Sequence, residues 1–254
     1  MIKVVHKDDE KSTRLASYIS SRLPQTNTDQ QLVVCVGGDG TILRAIHEHI
    51  DELERTIFFG VKAGHLGFFA DYTEDTIDAL IAALANHEYS VSRYSLLEAK
   101  VTTTDHTFPF ICLNEFQILS GSRTIKLDVM LDHTLFESFH GNGMVFSTPA
   151  GSTGLNKSLG GAIIDPTFET VQITEVAPIN SNAYRTIGSP MVLSVNRSIV
   201  VKAAKPTNIE FSFDHEVQAI EHFTELTIVK STQKVQIAQL SDVSFFERIQ
   251  KAFL

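Results

Sequence analysis

The stretch that decides the fold is Gln31–Ile50, QLVVCVGGDGTILRAIHEHI. Its first part, Leu32–Val36, is a continuous apolar run rich in valine, which predicts a strand buried on both faces of a parallel sheet. The turn Gly37-Gly38-Asp39-Gly40-Thr41 follows, and isoleucines then recur every four residues as far as Ile50, which predicts a helix. A strand, a glycine-rich turn and a helix in this order aim backbone N–H groups at an anion, usually a phosphate.

Asp39 is the unusual member of this turn, because a carboxylate repels a phosphate. In such a position its side chain would hold a metal ion, activate a hydroxyl group, or do both. The alternative is a structural role, in which the carboxylate accepts a backbone N–H and caps the following helix. The residues of the turn alone leave these roles open.

The composition of the chain excludes several classes of protein. The 254 residues carry a net charge of −9, which argues against binding to nucleic acid or to an anionic membrane surface. No apolar run approaches the roughly 18 to 20 residues of a membrane-spanning helix, and the N-terminus becomes charged too early for a signal peptide. Cys35 and Cys112 lie in apolar runs and are expected to be buried free thiols. We therefore expect a soluble, cytoplasmic protein.

The first part of the chain alternates predicted strands and helices. Ile2–Val5 and Ile57–Val61 are further strands, residues 9–23 form a helix that Pro24 ends, and Thr73 begins another helix. This alternation predicts an α/β domain with a parallel, Rossmann-like sheet. We assign residues 1–89 to it.

The chain from residue 90 to residue 240 contains strands without intervening helices. The predicted strands are 90–104, 108–119, 124–131, 135–140, 199–203, 209–213, 226–229 and 235–240. This pattern predicts an all-β domain of the sandwich type. Residues 241–254 are expected to form a closing helix, capped by Ser241-Asp242, that returns to the first domain and completes it.

Polar residues interrupt the β domain in one long stretch, Gly141–Gly161. Its glycine, serine and threonine residues flank the apolar Met144–Phe146, and they suit either a surface loop or a surface that a ligand approaches closely. Asn114-Glu115 breaks another apolar run, and this pair would bind ribose hydroxyls or a divalent cation, or would form a surface turn.

Two other polar groups have simpler interpretations. His47-Glu48-His49 is not a metal site, because residues two apart on a helix point to different faces, and we interpret it as a solvated helix face. Asp214-His215-Glu216 is interpreted as a hairpin turn.

Taken together, these stretches resemble the NAD kinase family. The matching motifs are the Gly37–Thr41 turn with Arg44, Gly64–Phe68, Asn114-Glu115, Ser147–Thr153 and Tyr184–Pro190. They occur in the family's order over most of the chain. Phosphofructokinases and diacylglycerol-type lipid kinases carry turns similar to the first motif, so the combination is what identifies the family.

The resemblance implies an N-terminal α/β domain, a C-terminal β-sandwich domain, and an active site between them. It implies transfer of a phosphoryl group from ATP or polyphosphate to the 2′-hydroxyl of the adenosine ribose of NAD, with Asp39 as the proton acceptor. It also implies Mg²⁺ bound through the substrate phosphates rather than by protein ligands, and a homo-oligomer, commonly a tetramer. Nucleotide contacts are implied for Gly37, Gly38, Asp39, Gly40, Thr41, Arg44, Phe68, Asn114, Glu115, His140, Asn142, Thr153, Gly154, Leu155, Asn156, Lys157, Ser158 and Ala177.

Two positions depart from the family pattern. The family usually has Gly-Asp-Gly where this chain has Gly141-Asn142-Gly143, so a carboxylate becomes a carboxamide. The family also has a tyrosine where this chain has Leu155, so an aromatic ring is absent. These changes motivate one alternative, a dinucleotide-binding sensor with weakened catalysis. A lipid or sugar-phosphate kinase that shares the Gly37–Thr41 turn is the other.

Overall fold

A computed structural model describes residues 1–25, 29–62, 67–121, 123–182, 185–239 and 244–254 of the chain. The chain divides into two compact units. The first unit contains Met1–Tyr94 and Gln233–Leu254, and the second contains Ser95–Thr232. The first unit is therefore built from both ends of the sequence.

Parallel strands with helices form the first unit. Up to Tyr94 its elements are β1 (Ile2–His6), α1 (Glu10–Ser20), β2 (Gln31–Val36), α2 (Asp39–Glu48), β3 (Thr56–Lys62), β4 (Tyr72–Thr73) and α3 (Ile77–Asn86), with 3-10 turns at Ile50–Arg55 and Glu74–Thr76. β1, β2 and β3 pair in parallel, and Gln236–Ala238 pairs in parallel with β3. This confirms the predicted parallel α/β fold.

Burial of β2 on both faces explains its unbroken apolar sequence. Leu32, Val34 and Val36 share a core with side chains of α1 and α3, whereas Val33 and Cys35, on the opposite face, are also fully buried. Alternate residues of a strand point to opposite faces, so the whole run must be apolar.

Helix α2 is shorter than the spacing of the isoleucines predicts. The helix ends at Glu48, and Ile50 begins the 3-10 turn. The interpretation of His47-Glu48-His49 as a solvated helix face is wrong for His49, which is buried. The Nδ1 atom of His49 lies 2.8 Å from the carbonyl oxygen of Ala45, and this bond makes its burial tolerable.

The second unit is almost entirely antiparallel β-structure, as predicted. Its elements, with the two strands that continue into the first unit, are β5 (Ser90–Thr103), β6 (Thr107–Cys112), β7 (Glu115–Leu119), β8 (Ile125–Leu131), β9 (Thr134–Gly141), β10 (Gly143–Ser147), α4 (Leu155–Ser158), β11 (Thr170–Val176), β12 (Met191–Ser194), β13 (Ile199–Phe213) and β14 (Glu216–Gln239). Strand order runs β14-β13-β7-β10-β11-β12, and β8 joins β9 to β13. The fully buried aromatic side chains of its core are Phe116, Phe139, Phe146, Phe211 and Phe223.

Several strand boundaries of this unit differ from the predicted ones. The predicted strand 108–119 is two strands, β6 and β7, with a break between them. Segments 199–203 and 209–213 form one strand, β13, and segment 226–229 and the described residues 235–239 of segment 235–240 belong to β14. β10, β11 and β12 were not predicted. β10 is buried throughout and pairs with both β7 and β11, so a surface-loop interpretation is wrong for its residues.

The closing helix, α5 (Phe245–Phe253), returns to the first unit as predicted. Its cap is Ser244, whose Oγ accepts the N–H of Glu247, while the Glu247 carboxylate accepts the N–H of Ser244. The prediction of Ser241-Asp242 as the cap is therefore wrong, and those two residues lie outside the described part of the chain. Phe253 packs on Phe68 with ring centroids 5.6 Å apart.

The structure also tests the predictions for the two cysteines and for membrane-spanning helices. Cys35 and Cys112 are buried free thiols, as predicted. In the described part of the chain, no helix is long and apolar enough to span a membrane.

We expect Ser244→Ala to lower the free energy of unfolding by about 1 kcal/mol, because it removes an N-cap hydrogen bond. Urea denaturation measures this loss. Ser244→Asn is the matched control, since asparagine is also a good cap. Equal loss in both variants would contradict the capping role.

Candidate active site

The turn that follows β2 presents Asp39 as the first residue of α2. Gly38 is the N-cap residue, its backbone is extended, and no side chain caps the helix. Asp39 therefore does not cap α2, and the capping alternative is wrong. Its half-buried carboxylate is engaged elsewhere in the first unit.

The Asp39 carboxylate accepts hydrogen bonds from two consecutive backbone N–H groups. The N–H of Phe68 lies 3.1 Å from Oδ2, and that of Phe69 lies 3.2 Å from Oδ1. Gly67 makes this approach possible, because a Cβ atom there would lie 2.4 Å from Oδ1 of Asp39. The carboxylate is thereby fixed in both position and plane.

This arrangement leaves Asp39 able to bind a further group. Each carboxylate oxygen has two acceptor sites, and each oxygen accepts one backbone bond. Among the described residues, a Cβ atom built on Gly38 or Gly40 would meet nothing within 4 Å, which favours the approach of a ligand to the backbone beside the carboxylate. The turn combines an acceptor with the positive end of a helix.

The other predicted residues of this motif lie on α2. Thr41 is buried, and its N–H donates to the carbonyl of Gly38. Arg44 donates to the carbonyl of His6 at 2.7 Å and lies 3.7 Å from the Glu48 carboxylate. Arg44 is thus held at the edge of the sheet beside β1.

Two residues that the sequence interpretation missed support the Phe68–Phe69 segment. Arg248 of α5 forms two hydrogen bonds with the carboxylate of Asp71, the Nη2 to Oδ2 bond being 2.6 Å long. Its Nη1 also lies 3.4 Å from the carbonyl oxygen of Phe68. Burial alone lowers the pKa of Arg248, but the bonds and charge of Asp71 raise it above its ordinary value. The signal for this role in the sequence was an arginine on the apolar side of the predicted closing helix.

In the second unit, Asn114 and Glu115 lie where the chain passes from β6 to β7. The carboxylate of Asp214 accepts the N–H of Leu113 at 2.9 Å and the N–H of Asn114 at 2.6 Å. These bonds replace strand pairing, and the break between β6 and β7 follows from them. Asp214 begins the predicted hairpin turn, which the structure confirms. Its role in positioning Leu113 and Asn114 was not predicted.

Glu115 is a buried carboxyl group with an unusual proton affinity. Burial, together with the charge of Asp214, raises the pKa of Glu115 to about 8. Its Oε2 atom and Oδ1 of Asn114 are buried and have no hydrogen-bond partner in the part of the chain that the structure describes. Unpaired buried polar atoms are costly, so this pair is a candidate for binding polar groups of a ligand.

The chain after β10 folds back over this pair. Thr148 donates its N–H to the carbonyl of Asn114 at 2.9 Å and its hydroxyl to the carbonyl of Leu113. A Cβ atom on Gly154 would lie 3.6 Å from Oε2 of Glu115, so the first predicted nucleotide contacts of α4 lie beside the carboxyl group.

Residues 153–158, which were predicted to contact the nucleotide, include both buried and exposed side chains. Asn156 is fully buried, accepts the hydroxyl of Thr174 at 2.7 Å and donates to the carbonyl of Ser152. Thr153 is half-buried, and Leu155 is 38% exposed. Gly154, Lys157 and Ser158 are exposed.

His140, Asn142 and Ala177 form a separate group at the ends of β9 and β11. The carbonyl of His140 accepts the N–H of Ile179 at 2.7 Å, and Nε2 of His140 lies 2.9 Å from the hydroxyl of Thr124. The exposed Asn142 donates its N–H to the carbonyl of Val176. Ala177 is exposed and has a left-handed backbone, with φ 45°.

Carboxylates hold residues 186–188 of the motif at 184–190. Tyr184 and residues 64–66 of the other glycine motif lie outside the described part of the chain. Glu175 accepts the hydroxyl of Thr186 at 3.1 Å and the N–H of Gly188 at 2.9 Å, and Glu137 accepts the N–H of Ile187 at 3.0 Å. Burial and the neighbouring Glu175 raise the pKa of Glu137 to about 7.

Within the described ranges, no three histidine, cysteine or acidic residues cluster so that they could hold a metal ion. The carboxylate oxygens of Asp39 and Asp214 already accept backbone N–H groups. This donor set does not form a cage for a cation.

Both units match models of one protein family. The model of the ATP-NAD kinase N-terminal domain matches residues 3–89, and that of the C-terminal domain matches residues 113–240. The chain belongs to the NAD kinase family. The members of this family are enzymes.

Relatives of similar length support this membership. NAD kinase 1 of Bacillus subtilis is 35% identical over 258 residues, which cover 99% of this chain and 97% of that protein. An NAD kinase of Streptococcus thermophilus is 37% identical over 231 residues, which cover 90% of this chain and 83% of that protein.

Solved structures of NAD kinases share the fold. A yeast NADH kinase solved with NADH has a TM-score of 0.82 at 17% identity and covers 98% of this chain and 86% of its own. An NAD kinase of Archaeoglobus fulgidus solved with ATP has a TM-score of 0.76 at 24% identity and covers 98% of both chains.

We expect Glu115 to make the protein less stable as pH rises. Between its ordinary pKa near 4.5 and its raised pKa of about 8, Glu115 is protonated only when folded, so rising pH favours unfolding. Glu115→Gln should remove up to about 1.4 kcal/mol of this loss per pH unit. Urea denaturation at pH 5 and pH 8 measures the difference. Glu221→Gln, at an exposed position of the same unit, is the control, and an equal effect there would contradict the account.

Proposed function

We propose that this protein transfers a phosphoryl group from ATP or inorganic polyphosphate to the 2′-hydroxyl of the adenosine ribose of NAD, giving NADP. The observation that carries this proposal is the Asp39 carboxylate, which the N–H groups of Phe68 and Phe69 fix at the start of α2 while acceptor sites remain. Membership of the NAD kinase family supports it.

Asp39 would act by orienting the hydroxyl and receiving its proton late in the reaction. A ribose hydroxyl is a very weak acid, whereas an ordinary aspartate has a pKa of about 3.9, so proton transfer cannot precede attack. The ribose oxygen forms a bond to the terminal phosphorus, the bond from that phosphorus to its bridging oxygen breaks, and the hydroxyl proton passes to Asp39. In such loose transition states, positioning and charge neutralisation supply most of the catalysis.

Asn114 and Glu115 would bind hydroxyl groups of a ribose. A protonated Glu115, favoured below its raised pKa of about 8, can donate a hydrogen bond, and the unpaired Oδ1 of Asn114 can accept one. A ribose diol needs such a combination of donor and acceptor. The exposed side of residues 153–158 would contact the rest of the nucleotide, and Leu155 would offer apolar rather than aromatic contact.

The backbone of the Gly37–Thr41 turn would bind phosphate groups of the donor at Gly38 and Gly40, with Arg44 and Phe68 among the contacts. Asn142, His140 and Ala177 are proposed as further nucleotide contacts. A divalent cation such as Mg²⁺, when bound to the substrate phosphates, neutralises part of their charge.

A dinucleotide sensor with weakened catalysis is the second candidate. Asn142 and Leu155 stand where the family usually has an aspartate and a tyrosine, and both are exposed. Both changes affect nucleotide contacts, and neither alters Asp39 or its two backbone donors.

We also propose that the protein works in the cytoplasm as a homo-oligomer, most simply a tetramer. Leu135, Phe136, Ile187 and Val192 of the second unit are exposed apolar residues, and Phe136 is 42% exposed. The Phe136 and Ile187 segments adjoin each other, because Glu137 accepts the N–H of Ile187. Exposed apolar side chains on these two adjoining segments support contact with another copy of the chain.

The domain assignment of residues 1–89 with 241–254, and of residues 90–240, also remains a proposal. The two family models, at residues 3–89 and 113–240, are compatible with it.

We expect the pure protein with NAD, Mg²⁺ and a phosphoryl donor to produce NADP, and Asp39→Asn to be slower by roughly 10²–10⁴-fold, the usual contribution of a positioned base. Coupled measurement of NADP with ATP and with polyphosphate tests both statements. Asp51→Asn, at an exposed position of the same unit, is the matched control. Tight NADP binding without turnover would favour the sensor, and turnover of diacylglycerol or fructose 6-phosphate but not NAD would favour another kinase.

We expect the protein to sediment well above its monomer mass of 28.1 kDa, and Phe136→Glu to shift it toward smaller species. A buried charge without a partner opposes association. Sedimentation velocity measures both results, with Thr134→Glu, at an exposed position of the same strand, as the control. A wild-type protein that sediments as a monomer would contradict the oligomer.

A further inference from the structure

Arg248 is a buried cation on the closing helix of the first unit. Its side chain is 5% exposed and that of its partner Asp71 is 1% exposed. Other ion pairs of the described part of this unit, such as Arg22–Asp78, lie between exposed side chains. Removing two charges from water is costly, so a buried pair is a weak source of stability and its position calls for another explanation.

The contacts of Arg248 lead to the segment that holds Asp39. The guanidinium binds both carboxylate oxygens of Asp71, and Nη1 also approaches the carbonyl of Phe68. The N–H of the same residue, Phe68, donates to Oδ2 of Asp39 at 3.1 Å. Phe253, which follows Arg248 on the same helix, packs on the Phe68 ring. One residue, Phe68, therefore contacts both the closing helix and the carboxylate.

The order of these contacts makes the position of Asp39 dependent on α5. Residues 67–69 contain no helix or strand, so no regular pairing holds the two N–H donors in place. Arg248 binds Asp71, two residues beyond this segment, and the carbonyl of Phe68 in its middle. α5 has only nine residues, too few for a stable isolated helix, so it depends on these contacts in turn.

We propose that Arg248 is a positioning residue for Asp39, acting through Asp71 and the backbone of Phe68 and Phe69. This inference rests on the proposed role of Asp39 as proton acceptor. The planar guanidinium can bind a carboxylate with two parallel bonds and reach a carbonyl at the same time, whereas a lysine ammonium keeps the charge without this fork. The charge alone is therefore not sufficient for the role.

The test compares Arg248→Lys with Arg22→Lys, which changes an exposed ion pair of the same unit. We expect Arg248→Lys to lower kcat by roughly 10- to 100-fold, since small misplacement of a reacting group has effects of this size. The KM values for both substrates should stay within about twofold, and Arg22→Lys should leave kcat unchanged. Thermal unfolding gives the melting temperature of each variant, and the assays are run well below that temperature.

A second comparison uses the Asp39→Asn background. If Arg248 acts by positioning Asp39, adding Arg248→Lys to Asp39→Asn should cause no further loss of kcat. The same fold-loss in both backgrounds, an unchanged kcat, or a change confined to KM would overturn the inference. Normal activity of Asp39→Asn alone would instead overturn the proposed role of Asp39, so the two failures are distinguishable.

Asp71→Asn provides an independent variant of the same contact. It removes the negative charge from the pair, keeps the size of the side chain, and leaves Phe68, Phe69 and Asp39 unchanged. We expect it to lower kcat in the normal background and not in the Asp39→Asn background. If Arg248→Lys does not fold, Asp71→Asn decides the inference by these same criteria.

Discussion

The backbone N–H groups of Phe68 and Phe69 hold the carboxylate of Asp39, and the chemistry of the first unit depends on this contact. A carboxylate at the start of a helix and beside a glycine-rich turn would otherwise rotate freely or bind the helix terminus. Two consecutive donors fix its plane and leave acceptor sites for a substrate hydroxyl. Gly67 is required because any side chain would enter the space of the carboxylate.

The second unit uses the same kind of contact for a different purpose. Asp214 accepts the consecutive N–H groups of Leu113 and Asn114 at the break between β6 and β7. Asn114 is thereby held between β6 and β7 and Glu115 at the first position of β7, and within the described residues each has a buried polar atom without a hydrogen-bond partner. In one unit the carboxylate itself is the proposed reacting group. In the other it positions a proposed binding pair, and its charge adds to the effect of burial, which raises the pKa of Glu115.

The sequence was sufficient for features that depend on local spacing. The apolar run of β2, the glycine turn and the alternation of strands and helices predict the parallel unit, because each signal lies within a few residues. The motif around Asp39 identified the proposed reacting residue. Its capping alternative failed only when the backbone placed Gly38, rather than Asp39, at the N-cap.

Features that depend on distant partners could not be predicted in this way. The break before Glu115 is caused by Asp214, about 100 positions away in the sequence, and Arg248 meets Asp71 across 177 positions. β10 was obscured because its short apolar core lies inside a glycine- and serine-rich stretch whose composition is that of a loop. The pattern of a single sequence shows the periodicity of each helix or strand, but it does not identify the distant residues that contact it.

A crystal structure of the Asp39→Asn variant with NAD would test the central claim most directly. We expect the adenosine 2′-hydroxyl oxygen to lie about 2.7–3.2 Å from a side-chain atom of residue 39, the range of a hydrogen bond. A bound NAD whose 2′-hydroxyl points away from residue 39, with another side chain at hydrogen-bond distance, would contradict the role of Asp39.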